Sequence, residues 1–333
     1  MRPSTPLVSV VTPVYNGEKY LAECVDSVLS QTYGNWEYTI VNNCSTDKTL
    51  EIAENYQKKD ARIKVISNDH FVAAIENHNI AVRHVSTQSE YCKVVSADDW
   101  LYPECIERLV RLAEGSPSVG VVQSYVINAT GVRWNGLPVN SPVEDGRQIA
   151  RLYLLSKIDL AAPSANLYRS SFVRSVDPFF PGARESADVA ACLNCLRHSD
   201  FGMVYQILSF ERLHDEAVTA KSRELDSYLL DRVELLLEYG PTFLTREEMN
   251  VRLEEVLRYY YQVLAASIVN VRGEDYWSYH RARLVELGLP FYGARLGKAL
   301  ISKVLDLVLN PKQTVEKGLR RVAQSAQGAA VCS

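Results

Sequence analysis

No apolar run in the 333 residues approaches the ~18 needed to span a bilayer; "VLAASIVNV" (263–271) is among the longest. The N-terminal stretch "MRPSTPLVSVVTPVYNG" is interrupted by Pro13 and Asn16, so its apolar patch reads as a buried strand, not a signal peptide. A basic surplus is also missing. Lys and Arg total 36 against 40 Asp and Glu, and this net charge of −4 argues against a nucleic-acid partner. Cysteine lacks a pattern: seven residues, an odd number at irregular spacing, with one CxxC (Cys192, Cys195) inside a helical pattern and no second pair. That usage fits a reducing compartment and core packing better than a zinc or redox site, and the expected address is the cytoplasm. Three motifs are absent as well. No GxGxxG follows the first strand, no GxxxxGK[ST] occurs, and no GxSxG occurs. Dinucleotide-binding, P-loop and nucleophile-elbow readings each lose their main support.

Hydrophobic content of 47% and charged content of 23% are ordinary for a soluble globular chain. "LVSVVTPVY" is a β-branched run, followed by "GEKYLAECVDSVLSQ" with Leu21, Cys24, Val25, Val28 and Leu29 at helical spacing. Asn16 stands where an N-cap belongs. "WEYTIVNN" then "STDKTLEIAENYQKK", "RIKVIS" then "VAAIENHNIAVRHV", and finally "YCKVVS" continue the alternation. Strands separated by single helices predict parallel βαβ units in an open α/β sheet, with ligands outside the carboxyl ends of the strands. The four predicted strand ends, "TPVYNG", "VNNCSTD", "SND" and "SADDW", are all polar and face one crevice. Beyond them "VGVVQSYVI", "PSANLYR" and "FGMVYQILSFERLH" read as strands and "SADVAACLNCLRHSD" as a helix. From about Ser222 the pattern is almost purely helical, and a boundary is placed near residue 220.

"SADDW" (Ser96 to Trp100) raises a chemical question, because Asp98 and Asp99 put two like charges side by side after an apolar strand. Their repulsion costs energy unless water, a cation or helix amides take it up. A plain strand-to-loop exit before the helical "LYPECIERLVRL" accounts for the pair alone; the polar strand ends around it strengthen the metal reading, and both stay open at this point.

"VSVVTPVYNGEKYLAECVDSVLSQTYGNWEYTIVNNCSTDKTLEI" followed by "SADDWLYPECI" resembles the family 2 glycosyltransferases, over residues 7 to about 219. The resemblance implies a GT-A fold: a Rossmann-like central sheet flanked by helices, in a domain over 1–219. Residues 1–110 would form its nucleotide-sugar half and 111–219 its acceptor half, with a helical C-terminal region over 220–333. It implies further that Pro13 and Tyr15 line the nucleobase site, Tyr15 against the base face, where stacking contributes about 1–3 kcal/mol. A half-buried Tyr beside a turn is the bland alternative. Asn43 takes the place of the usual base-reading Asp, and an amide both donates and accepts whereas a carboxylate only accepts. Asp98 matches the ribose contact and Asp99 the ligand of Mn²⁺ or Mg²⁺, hard cations that stabilise a departing diphosphate. Glu76 stands where many members carry Arg near the diphosphate, with Asn77 and Asn79 after it. The acceptor base matches Asp188, with Glu185 as a rival and a helix-dipole carboxylate as the structural alternative. His214 matches a position near the diphosphate or metal, or is a solvent-facing His after a strand. "APSANLYR" (162–169) is expected in the acceptor wall.

The expected activity is inverting, metal-dependent transfer of one sugar from a nucleoside diphosphate sugar, UDP-linked by preference, to a hydroxyl of a glycan or lipid-linked glycan of a surface polysaccharide. A non-catalytic sugar-nucleotide or glycan-binding module is the alternative, supported by Glu76 and by Asn42 with Asn43. A sugar nucleotidyltransferase fits less well, because "TPVYNGEKYL" has one Gly and one Lys where a Gly-rich basic loop is wanted. The C-terminal stretch is amphipathic, with Lys298, Lys303, Lys312, Lys317, Arg320 and Arg321 among apolar residues. Peripheral contact with an anionic membrane face, a homodimer contact and a solvated packing helix all remain open for it.

Overall fold

A computed structural model describes residues 5–133, 136–137, 141–160, 163–182, 186–213 and 224–309. The chain divides into two compact units, Met1–Asp231 with Leu235–Met249, and Arg232–Glu234 with Asn250–Ser333. The packing boundary therefore falls after Met249, later than the change to helical pattern at 220.

The first unit opens as its hydrophobic pattern predicts. Strands β1 (Val8–Val14), β2 (Trp36–Asn42), β3 (Ile63–Ser67) and β4 (Tyr91–Val94) alternate with helices α1 (Leu21–Leu29), α2 (Thr49–Lys59) and α3 (Ala74–Arg83). β1 is buried along its whole length, as a strand covered by helices on both faces must be. It pairs in parallel with β2 and β4, and β2 pairs in parallel with β3, so their carboxyl ends share one edge. Leu21, Cys24, Val25 and Val28 put one face of α1 into the core.

The second half of the sheet is mixed. The elements are β5 (Trp100–Leu101), α4 (Cys105–Gly115), β6 (Val119–Asn128), β7 (Gly131–Arg133), β8 (Val143–Glu144) and α5 (Gly146–Leu154). A 3-10 turn (Pro163–Ala165), β9 (Asn166–Arg169), α6 (Ser170–Ser175), α7 (Ala187–Leu196) and β10 (Asp200–Phe210) follow. The strand order is β3-β2-β1-β4-β9-β6-β10-β5, with β7 on β6 and β8 on β10. β9 runs antiparallel to both β4 and β6 and joins the two halves. Helix α8 (Tyr228–Phe243) follows.

One residue expected as a helix cap does something else. α1 starts at Leu21 after Tyr20, and Asn16 takes a left-handed turn with φ of 49°. Its Oδ1 accepts the Thr46 N–H at 2.8 Å, sewing the β1–α1 turn to the β2–α2 turn. Asn tolerates that backbone, so the same residue type serves either role. The next residue must be glycine, since a Cβ on Gly17 would lie 2.6 Å from the Val14 side chain.

The second unit is helical: α9 (Arg246–Val269, from Asn250 on), α10 (Glu274–Glu286) and α11 (Gly293–Leu309). Its core holds Tyr260, Tyr261, Leu264, Tyr276, His280 and Leu284, with the Tyr260 hydroxyl 3.1 Å from His280 Nδ1. Among the described residues no helix is long and apolar enough to cross a membrane. Lys298 and Lys303 lie on α11; Lys312, Lys317, Arg320 and Arg321 lie outside the described residues.

A side-chain amide ties α3 to the segment leading toward α7. Asn79 Nδ2 donates to the Phe180 carbonyl at 3.0 Å, and its Oδ1 accepts the Phe180 N–H at 2.8 Å, all of it buried. Replacement Asn79→Ala leaves both backbone groups unpaired, and we expect a loss of about 2–3 kcal/mol. Urea unfolding checks this: the midpoint should fall with the slope unchanged, and an unchanged midpoint would remove Asn79 from the architecture.

Candidate active site

The carboxyl ends of β1 to β4 bring together most of the residues singled out from sequence. Pro13 is buried near the end of β1, in register with Val41 of β2. Tyr15, two residues on, is 49% exposed, with its ring 4.8 Å from that of Phe71 at an angle of 62°.

Asn43, expected to read a base edge, bonds the β3–α3 loop. Its Nδ2 donates to the Val72 carbonyl at 2.8 Å, and its Oδ1 accepts the Val72 N–H and Asn68 Nδ2, each at 3.0 Å. Both lone pairs of the amide oxygen and one of its two N–H groups are thus occupied. Asn68 Nδ2 gives its other hydrogen to Asn77 Oδ1 at 2.9 Å, so Asn77 is the buried end of an amide chain from β2 to α3. Glu76 forms a 2.8 Å ion pair with Arg83, which also holds Asp177 at 2.9 Å.

Asp98 and Asp99 follow β4. Asp99 is 4% exposed. Its Oδ2 accepts the Ser164 hydroxyl at 2.5 Å and its Oδ1 accepts the Arg212 backbone N–H at 3.0 Å. Burial, then the charge of Asp98, raises its carboxyl well above the ordinary carboxylate range. Ser164 is itself positioned. Its hydroxyl accepts the Ser96 N–H at 3.0 Å, and the fully buried Lys93 donates to the Ser164 carbonyl and, at 3.1 Å, to that of Asn166. Burial holds the Lys93 ammonium below the ordinary lysine range. The "APSANLYR" segment, expected in the acceptor wall, thus includes the turn that supports Asp99; Ala162 lies outside the described residues.

Arg212 closes the site from β10. Its Nε donates to the Asp98 carbonyl at 3.0 Å, its other end pairs with Glu23, and its guanidinium lies 4.4 Å over the Tyr20 ring. Neighbouring Glu211 adds to the negative potential at Asp99 and pairs with Arg133 at 3.1 Å. Arg133 reaches Asp159 at 3.2 Å and is also felt at Asp188, so one charge network runs from Asp99 toward Asp188.

Asp188 sits in the first turn of α7, partly buried, with its Oδ1 accepting the Val189 N–H at 2.8 Å. Burial pushes its carboxyl up to about 6; the Val189 bond and Arg133 oppose that, and Asp159 adds to it. Glu185 and His214 lie outside the described residues. Among the described residues no group of three or more His, Cys, Asp or Glu side chains gathers as a metal cage. Two adjacent carboxylates, one buried with its charge disfavoured, still suit a hard divalent cation that takes its remaining ligands from phosphates.

Ser164, Lys93, Arg212, Arg133, Glu211 and Asn68 were not singled out from sequence. A Lys in a strand reads as a solvent-facing residue, and the others acquire meaning only across the sheet. A faint signal existed for Lys93, since "YCKVVS" places it in a run otherwise fit for burial.

A mixed sheet of this order, with its polar strand ends on one edge and flanking helices, defines a GT-A fold. The chain belongs to glycosyl transferase family 2, whose sequence model matches residues 9–176. An uncharacterized glycosyltransferase of Haemophilus influenzae is 38% identical over 121 residues, 36% of this chain and 37% of that one. The chain spans between 31% and 39% of the length of the first three curated relatives. Among solved structures, Staphylococcus aureus TarS 1–349 in complex with UDP-GlcNAc is 20% identical with a TM-score of 0.59, covering 94% of this chain and 91% of that one. The mannosyltransferase PcManGT of Pyrobaculum calidifontis, in complex with GDP-Man and Mn²⁺, is 13% identical with a TM-score of 0.56, covering 92% and 88%. At these identities the likeness speaks for the fold.

The buried carboxylate makes a stability prediction. Folding raises the proton affinity of Asp99, so the associated stabilisation is complete below the ordinary carboxylate range and lost as pH rises through the raised value. In metal-free protein at about pH 8, Asp99→Asn should therefore stabilise the fold by about 1–3 kcal/mol, with the gain shrinking as pH falls and vanishing only below about pH 4. Thermal melts at the two pH values check it; destabilisation at both would mean the carboxylate is well satisfied without a cation.

Proposed function

We propose that the protein is an inverting, metal-dependent glycosyltransferase. It moves one sugar from a nucleoside diphosphate sugar, UDP-linked by preference, to a hydroxyl of a glycan or lipid-linked glycan acceptor in surface polysaccharide synthesis, working in the cytoplasm. The observation that carries this reading is Asp99: a carboxylate buried at a strand end in a family 2 chain, beside a second carboxylate that disfavours its charge. The UDP-GlcNAc of TarS and the Mn²⁺ of PcManGT support it by analogy of fold.

The residues divide the work as follows. Tyr15 provides an apolar face for the base. Asp98 would contact the ribose, and Asp99 would hold Mn²⁺ or Mg²⁺, which when bound offsets the charge that gathers on the departing diphosphate. Ser164 and the Arg212 backbone fix the Asp99 carboxylate, and Lys93 fixes Ser164. Asp188 takes the proton from the acceptor hydroxyl. As that oxygen bonds to the anomeric carbon from the face opposite the nucleotide, the bond to the phosphate oxygen breaks, the nucleoside diphosphate leaves with the electron pair, and the configuration inverts. The transition state has oxocarbenium character, as in glycoside hydrolysis. A carboxyl pushed up to about 6 is a stronger base than an ordinary Asp yet still ionised at neutral pH.

The binding-module alternative loses one of its supports, because Glu76 is paired with Arg83. Donor turnover separates the two readings. Transfer or hydrolysis of a nucleoside diphosphate sugar, followed by nucleotide release, should be metal-dependent, and Asp188→Asn should lower it by about 10²–10⁴ while donor binding is kept. The rate should fall as pH drops through about 6, where Asp188 takes up a proton. Turnover at the full rate in Asp188→Asn would move the base elsewhere, and binding without turnover in the unaltered chain would favour the module.

A further inference from the structure

The β3–α3 loop carries an aromatic residue that the proposed function leaves unused. Phe71 is 58% exposed, an unusual state for a Phe in an ordered loop. It is nonetheless held on both sides. Three residues before it, Asn68 gives both hydrogens of its amide to Asn43 and Asn77. One residue after it, Val72 exchanges both of its backbone groups with the Asn43 side chain. The loop is pinned and the ring is left open to solvent beside Tyr15, the two planes meeting at 62° with centroids 4.8 Å apart. Two half-exposed rings set at an angle make an apolar corner at the shared carboxyl edge of β1 and β3.

We propose that Phe71 and Tyr15 form the two walls of the nucleobase site, and that Asn43 holds the Phe71 wall in place instead of reading the base edge. The proposal rests on the nucleotide-sugar reading given above. A planar base laid against one ring meets the other along its edge, and stacking of this kind tolerates different bases because each has a π face. Asn43 is a positioning residue here. Its amide suits Val72 because it donates to the carbonyl and accepts from the N–H; an Asp at this place accepts only, and its charge would face the carbonyl oxygen. The Asn that departs from the family's usual Asp is thus matched to a loop that carries Phe71.

Calorimetric titration of the full chain tests this, using Mn²⁺ with the tightest binder among UDP, GDP, CDP and dTDP, and in parallel Mn²⁺ with pyrophosphate. Phe71→Ala should weaken the nucleotide about tenfold, as loss of one stacking partner does, and leave pyrophosphate unchanged. Phe71→Leu, which keeps an apolar wall without a π face, should fall between, and it serves should the Ala variant fail to fold. Asn43→Asp should weaken the nucleotide in the native background and have little further effect in Phe71→Ala, since the two act through one wall. Unchanged nucleotide affinity in Phe71→Ala would make the ring a bystander, and tighter binding would make it a plug; either overturns the proposal while the nucleotide-sugar reading stands. Equal effects of Asn43→Asp in both backgrounds would return Asn43 to the base edge and overturn its positioning role. Failure of the unaltered chain to bind any of the four nucleotides would bring down the nucleotide-sugar reading and this inference with it.

Discussion

A carboxylate kept away from water is the constraint around which the candidate site is built. Asp99 is nearly inaccessible and stands beside a second carboxylate, an arrangement that folding alone does not favour. The chain answers with successive shells of donors. Ser164 and the Arg212 backbone bond the two carboxylate oxygens; Lys93, buried without an acidic partner in its own hydrogen bonds, fixes the Ser164 turn through carbonyls. These donors come from β4, from the turn before β9 and from the end of β10, so the antiparallel β9 that joins the two halves of the sheet also completes the site.

A second device is repeated in the fold. Asn43 and Asn79 each bond the N–H and the C=O of one backbone residue, Val72 and Phe180, in the way a neighbouring strand would. The first pins the loop beside Tyr15. The second pins the segment that runs toward Asp188. Both connect to α3, which carries Asn77 as well as Asn79, so the helix ties the loop beside Tyr15 to the segment before Asp188. Amides suit this work because they are neutral and both donate and accept, and they can be buried without the charge cost that Asp99 carries.

Sequence pattern exposed the regular part of this architecture. The alternation from β1 to β4, the pairing of Asp98 with Asp99 and the placement of Asp188 in the first turn of a helix follow from periodicity and strand-end polarity. The two-residue β5 and β8 were not legible, because elements of that length carry no period; α5 was passed over although it is as long as α1 and buries Ile149, Ala150 and Leu154. Asn16 misled, since the residue type that caps helices also takes left-handed turns. Asn43 was located correctly at a strand end, but its partners lie 25 and 29 residues away and only the folded loop reveals them. Lys93 reads as polar in a strand, and its burial depends on carbonyls from a turn more than seventy residues later.

The central claim is a cation-assisted nucleotide-sugar site at Asp98 and Asp99. Thermal stability of the purified chain, titrated with UDP-, GDP- and dTDP-sugars with and without Mn²⁺, addresses it most directly, because a ligand that binds the native state raises the melting temperature by mass action. The account predicts a Mn²⁺-dependent rise with one donor class, lost in Asp99→Asn. A folded protein whose melting temperature moves with none of these donors would contradict it.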